Sequence, residues 1–467
     1  MKKYIKIAFG VSLVASILPA CVTKKYELPE VKTTNLFRDQ NKTDSSNLSN
    51  MPWKALFADT LLQGIIQEGL SNNLDLKIAL ERMAEAQAGF NLSKASFFPS
   101  LNAGIGVTRA KISKAALNLP EGLGINLTST TYQAQLSSSW EADIWGKLSS
   151  SKRSSYAVLL QSEAAKHAVQ TQLIAEIANN YYLLCALDRQ LEITLETILS
   201  RTAEVETMKQ LLEGAIVNGA AVVQSEANRY AAEVSIPDLK RSIRETENNL
   251  SILLARVPGK IIRAGIETQK IDTLLKTGLP LQLLRNRPDV IQAEYGYRAS
   301  FENTNIARTF FYPALTITAQ GGLSSLKVGD FFDGSVFYNA IGGVTQPIFS
   351  RGENKARLRT AEARQQQALY SFQKTLLSSG AEVSDYLYSF KAAREKELTR
   401  DRQISALTKS VSFTRDLLRY SSSTNYTDVL TSEQSLLRAR LDGVSDRLQQ
   451  LQSIVNLYQA LGGGWKP

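Results

Sequence analysis

The sequence repeats itself at a spacing of 214 residues, and this limits the architecture more than any other feature. The first copy reads Asn73-Leu74-Asp75-Leu76, continues as a helical stretch, and reaches Phe97-Phe98-Pro99-Ser100-Leu101. The second reads Arg287-Pro288-Asp289-Val290, continues likewise, and reaches Phe311-Tyr312-Pro313-Ala314-Leu315. Asp to Pro is 24 residues in both copies. After each proline the apolar period becomes two. Leu101, Ala103, Ile105 and Val107 alternate with polar residues or glycine, as do Leu315, Ile317 and Ala319. A second alternating run follows in each half. In the first, Tyr132, Ala134, Leu136, Trp140, Ala142 and Ile144 oppose Gln133, Gln135, Ser137, Ser139, Glu141 and Asp143. In the second, the run covers about 337–348 and is Gly-rich. Each half therefore predicts one β-hairpin, about 100–145 and 313–348, with irregular loops at about 113–130 and 326–335.

A very long helical stretch follows each hairpin. Lys147 to Glu213 contains no Gly or Pro, and Glu353 to Tyr420 contains only Gly380. Each would extend about 95–100 Å as a helix. Leu184, Leu191, Ile198, Val205 and Leu212 share one heptad phase. Leu376, Val383, Phe390, Ile404, Val411 and Leu418 share another, with Glu397 the exception. Returning helices are predicted over about 220–255 and 427–461. Pro237 should kink the first return, because it removes an interior backbone donor. The turn residues Gly214, Gly219, Val222, Val223 and Ser421 lie at the tips, with Tyr426, Thr427, Asp428 and Thr431 beside them. Taken alone, they read as turn chemistry, with Gly supplying positive φ.

The resulting organisation is a signal segment (1–20), an N-terminal segment with part of an equatorial region (21–72), a first repeat (73–257), a connecting equatorial segment (258–285) and a second repeat (286–467). Each repeat is a helix, a β-hairpin and a long helical hairpin, about 147–257 and 353–461. Two hairpins give four strands, and an open four-stranded sheet would leave unpaired edges that hydrocarbon does not tolerate. Three chains would close twelve strands, an even number within the range of outer-membrane barrels. The fold class expected is thus α+β membrane, with long antiparallel coiled-coil helices. Trp140 and Trp145 fit an aromatic girdle.

The start of the chain reads as a secretory signal. Lys2, Lys3 and Lys6 precede an apolar run from Ile7 to Leu18, too short to span a bilayer. It ends in Leu18-Pro19-Ala20-Cys21, the bacterial lipoprotein cleavage pattern, so Cys21 is the expected lipidation site. The cofactor expectation is none beyond a covalent diacylglycerol and N-acyl lipid on Cys21. Loss of the three lysines would take the net charge from +10 to +7, with no dense basic block for nucleic acid.

The chain offers little material for catalysis. Two cysteines and one histidine allow neither a disulfide framework nor a Cys or His metal cluster. His167 has no histidine partner for a dyad and reads as a helical surface or packing residue. Gly104-Ile105-Gly106 lies within a strand and Gly462-Gly463-Gly464 near the C-terminus, so neither opens a phosphate-binding βαβ unit. No Gly-x-Ser-x-Gly elbow or His-Glu-x-x-His pair occurs. No catalytic or metal-ligating residue is expected, and the chain does not read as an enzyme.

The repeat, Arg287-Pro288-Asp289-Val290 with Ala293-Glu294, Gln346-Pro347-Ile348-Phe349, and the ending Leu457-Tyr458-Gln459-Ala460-Leu461-Gly462-Gly463-Gly464-Trp465 together resemble the TolC-like outer-membrane efflux proteins. The likeness is to the lipoprotein branch called NodT or OprM type, and it covers essentially the whole mature chain. It implies a homotrimer in the outer membrane of a Gram-negative bacterium, with a 12-stranded β-barrel and a periplasmic α-helical barrel. It implies a passive duct exporting drugs or other small toxic compounds. An inner-membrane RND-type pump and a periplasmic adaptor would deliver them. Gly214, Gly219, Val222, Val223 and Ser421 become candidate adaptor contacts. Tyr426, Thr427, Asp428 and Thr431 become candidates for a periplasmic gate. Family members often carry an aspartate where alignment places Thr431, and an apolar residue where it places Thr427. Either Asp428 substitutes for that acidic ring or the gate is less charged. Two other readings stand beside this one. A structural or adhesive coiled-coil lipoprotein would not need amphipathic hairpins, and a protein-secretion duct would share the architecture.

Overall fold

The computed structural model describes residues 23–29, 36, 38, 48–117, 126–270, 286–420 and 426–466. Cys21 and Ser421 lie outside these residues. The main elements follow in chain order. Helices α1 (Thr60–Asn72) and α2 (Leu74–Ala95) precede strands β1 (Ser100–Lys111) and β2 (Thr128–Glu141). Helix α3 (Lys147–Glu213) then leads to α4 (Gly219–Glu233) and α5 (Ser235–Leu253). The second half has α6 (Pro288–Thr309), β3 (Ala314–Ser325), β4 (Val336–Thr345), α7 (Glu353–Tyr420) and α8 (Tyr426–Ala460). The repeat is structural. Helices α2 and α6 are both 22 residues long, and α3 and α7 have 67 and 68. Among the described residues, no helix is long and apolar enough to cross a membrane.

The chain forms two compact units. One contains residues 84–161, 294–371 and the chain up to Pro29. Its centre is a four-stranded antiparallel sheet in the order β1-β2-β3-β4. The two hairpins pair through β2 and β3, which sequence patterning alone did not specify. Register explains the alternation. Leu136 opposes Ala103 and Gly321, Ala134 opposes Ile105 and Leu323, and Trp140 opposes Ile317. Directly opposed residues share a face, so most apolar positions fall together. Tyr338 and Val336 of β4 join them opposite Gly321 and Leu323, while Phe337 and Ile341 of β4 fall on the opposite face. Gln133, Gln135, Ser137, Gln320 and Asn339 occupy the other face. Gly322 permits the β2–β3 approach, because a Cβ there would overlap the Ala134 carbonyl oxygen. The indole N–H of Trp140 donates to Phe97 O at 2.9 Å, and that of Trp145 to Pro313 O at 2.7 Å.

The N-terminal segment is fastened to this unit. Lys24 N donates to Asn305 Oδ1, and Asn305 Nδ2 donates back to Lys24 O, both at 2.9 Å. The Tyr26 ring packs against Tyr297 and Phe301, with Arg298 over its face. Thr23 lies against Gly146, which has φ of +75° between β2 and α3.

The second unit contains residues 30–83, 162–293 and 372–467. Its core gathers Leu62 and Ile66 from α1, Ile174, Ile177, Tyr181 and Leu184 from α3, and Leu250, Val455 and Leu457 from the returning helices. Near Pro237, where a kink is expected, the helix is interrupted for one residue, Val234, which keeps helical dihedrals. Helix α4 stops at Glu233, the residue whose carbonyl the proline would crowd and leave without a donor. Along α7 the predicted seam holds, with Leu376, Val383, Phe390, Val411 and Leu418 buried. Its exception, Glu397, accepts from Gln450 Nε2 at 3.0 Å. Along α3 the seam slides. Burial passes through Ile193, Arg201, Val205 and Met208, leaving Leu212 40% exposed. A straight 3.6-residue helix drifts against a seven-residue repeat.

Several motif residues prove to be clasps. Gly380 lets the backbone of Leu36 pass against α7, where a Cβ would collide with the Leu36 carbonyl oxygen. Gly462 has φ of +84° and sits against the Asn286 carbonyl. The Trp465 indole donates to that carbonyl oxygen at 2.9 Å, and its ring lies 4.7 Å from that of His167. The sole histidine is therefore half-buried packing, and burial lowers its pKa. Cys185, the one described cysteine, is buried without a disulfide.

Candidate functional site

The chain at the tip of the first helical hairpin is shaped by two caps. Helix α3 ends in a Schellman-type turn. Ile216 N donates to Leu211 O at 2.8 Å, and Ala215 N donates to Leu212 O at 3.0 Å. The left-handed residue is Ala215, with φ of +55°, rather than Gly214 or Gly219, so positive φ falls on alanine. Asn218 then caps α4 by accepting from Ala221 N at 3.1 Å.

The predicted tip residues divide into two sets. Val222 is 8% exposed and Tyr426 7%. With Met208, Leu418, Val429 and Leu430 they form a small apolar cluster from all four tip helices, α3, α4, α7 and α8. Val222 and Tyr426 are thus packed within this cluster, because the apolar rows of the amphipathic helices meet there. Val223 is 65% exposed. Gly214, Gly219, Thr427, Asp428 and Thr431 are exposed as well. Thr431 Oγ1 donates to Thr427 O at 2.8 Å, so its hydroxyl is bound within its own helix.

One to two turns from this cluster lies a polar layer that the sequence did not disclose. Arg201 and Glu204 come from α3, Ser225 and Asn228 from α4, Arg415 from α7 and Glu433 from α8. All but Arg415 are buried. Arg201 Nη1 donates to Asn228 O at 2.6 Å. Arg415 Nε donates to Glu433 Oε1 at 2.8 Å, and its Nη2 reaches the same oxygen and Ser200 Oγ. Glu204 faces Glu433, and burial, reinforced by that second carboxyl group, raises its pKa to about 8. Burial also lowers the pKa of Arg201. The layer joins the first hairpin to the second with polar groups where coiled coils ordinarily place apolar ones. Such a layer holds while every member is satisfied and fails readily when one is not.

The only signal for it in the sequence was charge at seam spacing. Glu204 precedes Met208 by four residues, and Glu433 lies between Leu430 and Leu437 at three- and four-residue intervals. Scattered charges on helices usually mark a solvated face, and this reading concealed the layer. Among the described residues no group of acidic, His and Cys side chains could hold a metal ion.

Comparison with known proteins agrees with this architecture. The profile of the family described as "Outer membrane efflux protein" matches residues 65–256 and 279–463. The chain is 28% identical over 456 residues to the probable outer membrane lipoprotein SilC of Salmonella typhimurium, covering 96% of this chain and 97% of SilC. It is 27% identical over 473 residues to the toluene efflux pump outer membrane protein TtgC of Pseudomonas putida, covering 98% and 96%. The crystal structure of the open state of the Neisseria gonorrhoeae MtrE outer membrane channel superposes with a TM-score of 0.83 at 24% identity, over 95% of this chain and 98% of MtrE.

Proposed function

Since the chain belongs to the outer membrane efflux protein family, we propose that three copies close into a passive duct exporting small toxic compounds across the outer membrane. One observation carries this reading. The sheet sets most of its apolar side chains on one face and its Gln and Asn side chains on the other, with Phe337 and Ile341 of β4 the apolar exceptions, and its outer strands β1 and β4 lack a second partner among the described residues. A sheet of that kind is stable in lipid only if its edges are paired. Pairing β1 of one copy with β4 of the next, three times, closes a barrel with apolar residues toward lipid and a polar lumen. Nothing in this role makes or breaks a covalent bond.

The remaining assignments rest on the same frame. Cys21 would carry the lipid. Thr23, two residues on, is held against Gly146 between β2 and α3. Gly214, Gly219, Val223 and Ser421 would meet the periplasmic adaptor. Thr427, Asp428 and Thr431 would line the gate, with Asp428 as its acidic residue. An inner-membrane pump would choose the cargo.

The test is fractionation together with drug accumulation. The protein should sediment with the outer membrane as a trimer, with acyl chains on Cys21 by mass spectrometry. Deleting its gene should raise accumulation of at least one toxic compound several-fold. A soluble periplasmic monomer would refute the duct.

A further inference from the structure

We propose that the tip of each protomer is a proton-held latch, in which one proton shared between Glu204 and Glu433 keeps the two helical hairpins together and its loss at alkaline pH lets them part. This inference rests on reading the hairpin tips as the gate of the duct.

The geometry leaves two carboxyl groups in conflict. Glu204 is 8% exposed and Glu433 7%. Neither Glu204 oxygen nor Glu433 Oε2 has a hydrogen-bond donor, while Glu433 Oε1 is taken by Arg415. Two facing carboxylates in a poorly hydrated site cannot both stay ionised. A single proton resolves the conflict by turning one of them into a donor toward the other.

Every neighbouring charge bears on this proton. From α3, Arg201 spends Nη1 on Asn228 O, and its Nε has no partner. From α7 come Arg415, bound to Glu433, and Arg419, which lines the same cavity. From α8 come Glu433 and the Tyr426 hydroxyl. Helix α4 contributes Ser225 and Asn228, which carry no charge. The two arginines that draw Glu204 toward ionisation, Arg415 first and then Arg201, do not overcome burial and Glu433, and the carboxyl is raised to about 8. A cavity of about 140 Å³, lined by Glu204, Thr207, Arg415 and Arg419, reaches the group and lets water exchange the proton.

The direction follows from linkage. When the hairpins part, Glu204 is hydrated and returns toward the ordinary glutamate value of about 4.3. Between that value and about 8 the closed tip holds one more proton than the open one. The ratio of open to closed therefore rises with pH by up to about tenfold per unit in each protomer, and levels off once the closed form has lost its proton. Acid favours the closed tip.

Full-length protein in planar lipid bilayers tests this between pH 5 and 9. Conductance should rise at least about tenfold across that range. Glu204→Gln, a neutral mimic of the protonated acid, should stay poorly conducting throughout. Its combination with Tyr426→Ala, which empties the tip cluster, should conduct at every pH and so verify an intact pore. Infrared spectra at pH 7 should show a carboxylic-acid C=O band that Glu204→Gln removes. A flat wild-type conductance, a Glu204→Gln response like wild type, or no such band overturns the latch while leaving the duct. Absence of conductance from wild type and the Tyr426→Ala double variant alike overturns the duct, and the latch with it.

Discussion

Arg287 Nη1 donates to the backbone carbonyl oxygen of Ala460 at 2.8 Å, tying the start of α6 to the end of α8 across 173 residues. The same guanidinium grips Asp289 through Nε and Nη2 at 3.0 and 2.6 Å, and Glu382 on α7 through Nη1 at 2.8 Å. The Arg-Pro-Asp motif is thus a structural junction. Proline begins the helix, aspartate orients the arginine, and arginine satisfies a helix-terminal carbonyl.

Replacing Arg287 should therefore weaken the equatorial junction. Its side chain is 8% exposed, but Asp289 and Glu382 are partly hydrated, so the loss is that of bonds from a charged donor rather than of stranded charges. Arg287→Ala is expected to cost about 2–3 kcal/mol. Arg287→Lys should recover only part, because a lysine cannot span three partners in one plane. Thermal unfolding of the detergent-solubilised protein would measure both.

Gly322 predicts a steric effect on barrel assembly. A Cβ there meets the Ala134 carbonyl oxygen across the β2–β3 pair, whereas a Cβ on Gly342 meets nothing within 4 Å. Gly322→Ala should reduce outer-membrane insertion sharply, and Gly342→Ala should leave it unchanged. Trimer yield in membrane fractions distinguishes the two.

Acid should loosen the packing around Asp59. Burial tends to raise its pKa, yet hydrogen bonds from Tyr181, Gln269 and the Leu61 N–H together lower it. Tyr181 Oη donates to Asp59 Oδ2 at 2.6 Å and accepts from Ala264 N at 3.0 Å. A depressed folded-state pKa gives stability that is complete above the unfolded value near 3.9 and lost as pH falls through the folded one. Tyr181→Phe should cost about 1–2 kcal/mol at pH 7 and move the acid loss to higher pH. Denaturant melts between pH 2 and 7 test both statements.

Ala215 should tolerate glycine with profit. It holds φ of +55° in the cap of α3, a region that costs an L-residue with a Cβ about 1–2 kcal/mol. Glycine removes that strain at some cost in unfolded-chain entropy, so Ala215→Gly is expected to stabilise the tip by about 0.5 kcal/mol. Hydrogen exchange of the last turn of α3 would report it. Ala255, with φ of +53° at the end of α5, offers the same test in the other cap of that hairpin.

Much of the fold was legible because its signals are local. A strand shows its period within a few residues, and a helix without Gly or Pro announces its length. The interruption before Pro237 needed only the proline's missing N–H. Gly380 and the terminal glycines were visible but unexplained, since their reasons are the Leu36 and Asn286 carbonyls, which only folding brings near. Val222 and Tyr426 were legible as tip residues, but their packing against one another was not, because a turn's sequence does not reveal which side chains meet a neighbouring hairpin. The Glu204–Glu433 layer escaped notice for the same reason. The two acids are separated by 229 positions, and each looks like an ordinary surface charge.

By itself the sequence determined the repeat, the four amphipathic strands, the long paired helices and the family to which they belong, since each follows from periodicity carried along the chain. Only the tertiary structure decided which strands adjoin, where the seam of α3 drifts, and that four charged residues share one poorly hydrated layer between the hairpins. Periodicity fixes the faces of an element. The contacts between elements depend on register and burial, and those are settled only when distant stretches of chain exclude water together.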